Sequence, residues 1–294
     1  MIGYVQALFD PSLPFVRNAL VAGLLSAVVF GVTGSVVTVR RIAGLAGAVS
    51  HAVLGGIGLA VFLSSRAIVP GLPPMAGALA AAVLAAFAIG AVTLRSKSRE
   101  DTAINAIWAV GMSVGVLFLA MSPGKVDPMS YLFGNILLVT EVDLWLMGAL
   151  ALALSGMAFA FYRAIEASAF DPEFAKSRGL RTDAIFMATL AAVALSVVLM
   201  QTFVGIVMVI AMLVLPAGAA SYFSRNLGRM ILLSVALSAA YSVAGLALSW
   251  AVDLPSGAII VLIAGVAYAL SAIYATLRAK FGLAAPRRGG GAAP

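Results

Sequence analysis

The chain contains no cysteine and only one histidine, His51, in 294 residues. Without thiols it has no disulfide framework and no thiolate metal site. A single histidine excludes an intramembrane metalloprotease, which needs at least two together with a glutamate base. Ser50 adjoins His51, but helical neighbours point about 100° apart, so the two do not form a nucleophile–base pair. An enzyme reading would need a serine brought in from elsewhere in the fold. No glycine-rich loop ending in Gly-Lys-Ser/Thr is present, so energy must come from ATP hydrolysed by another chain or from an ion gradient. Charged residues make up 10% of the chain, against about 25% in a soluble domain. The longest polar interval, 163–183, is too short for a soluble domain.

Apolar residues fill the space that charge leaves, at 63% of the composition and a mean hydropathy of +1.11. The apolar stretches are continuous and do not alternate, which indicates membrane-spanning helices and excludes a membrane β-barrel. The sequence predicts an all-α polytopic membrane protein with about nine segments: 18–39, 43–63, 74–94, 103–121, 142–162, 184–203, 205–222, 230–250 and 258–277. The seventh is short and carries Pro216, so eight full spans plus a broken or half-crossing element is the alternative count. Residues 1–282 read as one transmembrane domain, and the Gly/Ala/Pro-rich stretch 283–294 as a disordered tail. No cleavable leader is expected, because Asp10, Pro11 and Pro14 fall where an apolar core would lie.

Charge orients the chain. With the N-terminus outside and the C-terminus cytoplasmic, loops after odd-numbered segments hold fifteen of the eighteen Lys and Arg residues, leaving only Arg17, Arg66 and Lys125 outside. The net charge of +7 therefore marks cytoplasmic loops, not a nucleic-acid partner. A bacterial-type inner membrane is the expected location.

The second segment carries His51 well inside the span. Gly47, His51 and Gly55 recur every four residues and share one helix face; Ala48, Ala52 and Gly56 form a small-residue row beside it. Such rows admit a close helix neighbour. Ionisable groups within spans are usually functional, and neutral imidazole binds zinc and related ions. The bland alternative is a histidine hydrogen-bonded to a neighbouring carbonyl.

Three further places attract attention. In 163–183, Asp171 and Pro172 suit a helix start and Gly179 a helix end, around the apolar residues Ala169, Phe170, Phe174 and Ala175. A short helix there would either dock a soluble partner or simply lie on the surface. Glu100 and Asp101 at the start of the fourth segment suit the helix dipole more than an ion entry, and Asn105 suits an interhelical hydrogen bond. Asp253, in the turn DLPSG, reads as a turn and cap residue.

Six strings in order then carry a resemblance: VRRIAGLAGAVSHAVLGGIGL, SREDTAI, YLFGNIL, FDPEFAKSRGL, VGIVMVIAMLVLPAGAA and LSWAVDLPSGAIIVLIAG. Over about 15–275 the chain resembles the permease subunits of zinc/manganese/iron-type ABC importers. The resemblance implies two permease copies, expected as a homodimer, two ATPase subunits and an extracytoplasmic metal-binding protein. No cofactor is held permanently; the divalent metal ion is the cargo. The resemblance makes His51 part of the metal pathway, but Gly47 stands where the family commonly has aspartate. It also makes Asp171, Glu173, Ala175 and Gly179 the segment that meets the ATPase. Losing a carboxylate leans the expectation toward zinc, with manganese or iron as alternatives. An importer of a metal chelate, a secondary transporter and a non-transporting scaffold are the rival readings. The secondary transporter is disfavoured because every Asp and Glu falls in or beside a loop.

Overall fold

The structure is a computed structural model that describes residues 3–95, 100–123 and 136–280. Among these residues it is all helical. The tail 283–294, most of the loop 122–135, and Lys97 and Arg99 lie outside the described residues.

The helices are α1 (Tyr4–Phe9), α2 (Pro14–Val39), α3 (Ala43–Ser65), α4 (Pro74–Arg95), α5 (Glu100–Met121), α6 (Glu141–Ala160), α7 (Tyr162–Phe170), α8 (Pro172–Ser177), α9 (Thr182–Val204), α10 (Ile206–Ser221), α11 (Leu227–Val252) and α12 (Ser256–Lys280). Eight of them are long and apolar enough to cross a membrane: α2 to α6, α9, α11 and α12. Local chemistry sets their starts. Pro14 and Pro172 occupy the first turns of α2 and α8, where a missing N–H costs nothing. Thr140 and Asp143 form a capping box at α6, and Asn226 accepts the Arg229 N–H at 2.9 Å at α11.

The seventh apolar segment is short, as expected, but Pro216 does not break it. Its 16 residues reach only about 24 Å at 1.5 Å per residue. The helix runs through Pro216 without ending. The break lies before it at Gly205, whose φ of 84° and ψ of 157° separate α9 from α10. That backbone region is essentially glycine's own. The fifth segment also ends earlier than expected, at Ala160, and a separate helix, α7, starts at Tyr162. Asp253 closes α11 in the left-handed region, with φ 54°.

Two groups of helices make up the bundle. In one, α2 packs along α11 and also against α10 and α6; in the other, α3 lies between α4 and α5. The two groups meet through α9 and α10, each of which touches both α2 and α3. Small residues permit the closest approaches. A Cβ on Gly56 would strike the Gly77 carbonyl, and one on Gly77 would strike that of Gly56, so α3 and α4 touch backbone to backbone.

Candidate functional site: the His51 face and the segment 162–179

On its other side α3 meets α5 almost as closely. A Cβ on Gly55 would come within 2.8 Å of the Gly111 carbonyl, and one on Gly58 within 2.5 Å of that of Gly115. Near the start of the pair, Gly44 faces Ile104. This register sets His51 beside Trp108, with ring centroids 4.9 Å apart and planes 13° from parallel. The same register brings Asn105, one turn earlier on α5, level with Gly47. The neighbour that occupies the cleared face is thus α5 of the same chain.

His51 is partly buried. Its Nδ1 is buried and has no hydrogen-bond partner, so the interhelical carbonyl bond that would make the residue merely structural is not formed at that atom. One turn below, the face is open: a Cβ on Gly47 would meet nothing within 4 Å. Asn105, Trp108, Met112 and Ser113 line a cleft of about 750 Å³ along the outer face of α5. These groups offer an amide oxygen, a thioether and a hydroxyl, but no nitrogen ligand and no carboxylate. Among the described residues, no three His, Cys, Asp or Glu side chains come together.

Each remaining residue singled out from the sequence has a definite place. Ala48 is fully buried; Ala52 and Gly55 face Gly111, and Gly56 faces α4. Glu100 and Asp101 open α5, about two turns before Trp108. Asp101 is exposed, as is Asn105.

The interval 163–183 folds into α7, α8 and the start of α9. Asp171 caps α8, accepting the Phe174 N–H at 2.9 Å. Ala175 is buried, and its carbonyl accepts the Leu180 N–H at 3.1 Å. Gly179 makes the turn with φ 84°. Glu173 is exposed. So are Phe170 (63%) and Phe174 (55%), two large apolar rings facing outward on a helical corner.

Sequence reasoning missed two features. Trp108 carries a signal only in retrospect, as an aromatic one turn beyond Asn105 on the same face. The sequence places Tyr162 at the end of the fifth segment and the following residues in a polar interval, although Tyr162, Ile165 and Glu166 at three- and four-residue spacing mark the amphipathic turn that forms α7. At its far end Arg40, just past α2, donates from Nη2 to the Ser168 Oγ at 2.6 Å. Burial disfavours the charged form of Arg40 and pulls its pKa below the ordinary value.

Comparison with known proteins agrees with this architecture. The chain is 34% identical over 272 residues to a "Probable metal transport system membrane protein" of Chlamydia muridarum, covering 92% of each. It is 30% identical over 262 residues to the "Manganese transport system membrane protein MntC" of Listeria monocytogenes, covering 89% of this chain and 91% of that one. Among solved structures, a chain of PsaBC from Streptococcus pneumoniae in complex with Fab superposes with a TM-score of 0.78 at 27% identity, covering 91% and 94% of the two chains. The model of the ABC 3 transport family matches residues 12–275, nearly the whole length, and the chain belongs to that family.

Proposed function

We propose that this chain is the membrane subunit of an ATP-driven importer of a divalent transition-metal ion, and that His51 contacts the ion in transit. The observation that carries this reading is the unpartnered Nδ1 of His51, held within a spanning helix beside the open position at Gly47. An imidazole nitrogen without a partner in a membrane span is a costly arrangement unless something binds it. Few-ligand coordination suits passage, because a full four-ligand site would retain the ion.

In this reading the N-terminus is outside and the α7–α8 corner is cytoplasmic, as the basic-residue asymmetry supports. The chain works in a bacterial-type inner membrane as a homodimer with two ATPase subunits, which supply the ATP site this sequence lacks, and an extracytoplasmic binding protein that delivers the ion. Alternating access opens a passage at the dimer interface to one side and then the other. α8 meets the ATPase through Asp171, Glu173, Ala175 and Gly179, with Phe170 and Phe174 exposed beside them. The one imidazole, with no carboxylate beside it among the described residues, leans the reading toward zinc. A second reading, manganese, rests on the name of the Listeria relative.

The deciding experiment is metal uptake by the assembled transporter with zinc, manganese and iron in competition, for wild type and His51→Ala. Uptake of one free ion that collapses in His51→Ala supports the pathway. Undiminished uptake of free ion in His51→Ala removes His51 as a ligand.

A further inference from the structure

We propose that α7 is a rigid latch that ties α8 to the ends of α2 and α11, and that Tyr162, Glu166 and Arg40 are positioning residues which convert ATPase movement into movement of that helix pair. The inference rests on the reading that α8 meets the ATPase.

One flank of α7 caps α11. The first N–H groups of a helix have no partner within it, and its N-terminus carries partial positive charge. At α11 the Arg229 N–H is taken by Asn226 on its own strand of chain. The two before it are taken from α7: the Gly228 N–H donates to Tyr162 Oη at 3.0 Å, and the Leu227 N–H to Glu166 Oε1 at 3.4 Å. Tyr162 Oη in turn donates to Glu166 Oε1 at 2.9 Å. A carboxylate at this end of a helix is matched in sign. Gly228 leaves room for the approach, since a Cβ there would lie 3.3 Å from Tyr162 Oη.

The other flank holds α2. Arg40 bonds Ser168 at 2.6 Å and lies over the Phe186 ring of α9, 5.5 Å from its centroid. Its Nε is buried and unpartnered. Between the flanks, Ile165 packs with Val36 of α2 and Leu227 of α11. Polar bonds on both sides of an apolar plug fix α7 in rotation as well as position. Only Asp171 separates α7 from α8, and α2 packs along α11. A push on α8 therefore moves α2 and α11 together or breaks the latch.

The test uses the full transporter, with ATPase and binding protein, in proteoliposomes, with zinc and manganese uptake and ATP hydrolysis read in the same vesicles. In Tyr162→Phe and Glu166→Ala the ATPase should still co-purify and hydrolyse ATP, while ions moved per ATP fall about fivefold, the scale of losing a hydrogen bond. Unchanged ions per ATP in both variants overturns the latch. A second measurement is a rescue. The chain has no cysteine, so with cysteine-free partner subunits Tyr162→Cys and Gly228→Cys, a position whose Cβ would face the Tyr162 side chain, can be bridged by a short bis-maleimide. The unbridged pair should be uncoupled and the bridged pair coupled again. Bridging that leaves coupling low, or abolishes uptake, overturns a rigid latch. Phe174→Asp separates the two ideas. Loss of ATPase co-purification supports docking through α8; retained ATPase with normal coupling removes the docking reading itself, whatever the latch variants show.

Discussion

The imidazole of His51 lies stacked on the indole of Trp108, centroids 4.9 Å apart and planes 13° from parallel. The stack fixes the ring's plane and leaves Nδ1 without a partner. On the proposed role of His51, Trp108 is the residue that holds the imidazole plane in place. Trp108→Ala should weaken apparent ion affinity in uptake assays about tenfold, while Trp108→Phe, which keeps an aromatic face, should stay close to wild type.

Position 47 should control which ion is preferred. A Cβ at Gly47 would meet nothing within 4 Å, so Gly47→Asp starts a carboxylate side chain one turn from His51 from a position with room for its first carbon. Carboxylate oxygen favours manganese more than imidazole nitrogen does. The ratio of manganese to zinc uptake should rise in Gly47→Asp, and isotope competition in proteoliposomes measures it.

The two faces of α3 should respond oppositely to the same added methyl group. Gly47→Ala meets nothing and should stabilise the helix by up to about 1 kcal/mol. Gly56→Ala drives a Cβ into the Gly77 carbonyl and should destabilise by about 1–3 kcal/mol. Thermal unfolding in detergent, monitored by helical circular dichroism, would show the melting temperature rising in one variant and falling in the other.

Gly205 should tolerate no other residue. With φ 84° and ψ 157°, an L side chain there costs about 1–3 kcal/mol. Gly205→Ala should lower the melting temperature. Pro216→Ala, inside a helix already continuous through that position, should not lower it.

Much of this was legible before any coordinates. The cap at Asp171, the start at Pro172 and the turn at Gly179 depend on a few adjacent residues, and all three appear where expected. So do the acids that open α5. The break between 203 and 205 is also expected from the sequence and appears at Gly205, whereas the interruption expected at Pro216 does not form. α7 was hidden. Its partners Leu227 and Gly228 lie 61 and 66 residues away from Glu166 and Tyr162, and nothing local marks them as bonded.

The sequence alone determined that this is a helical membrane protein, and roughly where each helix runs, because crossing a bilayer depends on the length and hydrophobicity of one continuous stretch. It also located the one imidazole and the small-residue rows around it. Only the tertiary structure decided that α5 covers His51, that Gly47 opens onto space while Gly56 is shut against α4, and that α7 bridges α2 and α11. Lipid is as apolar as leucine, so hydrophobicity does not say which face of a spanning helix meets which neighbour. That choice follows from register and rotation between helices distant in the chain.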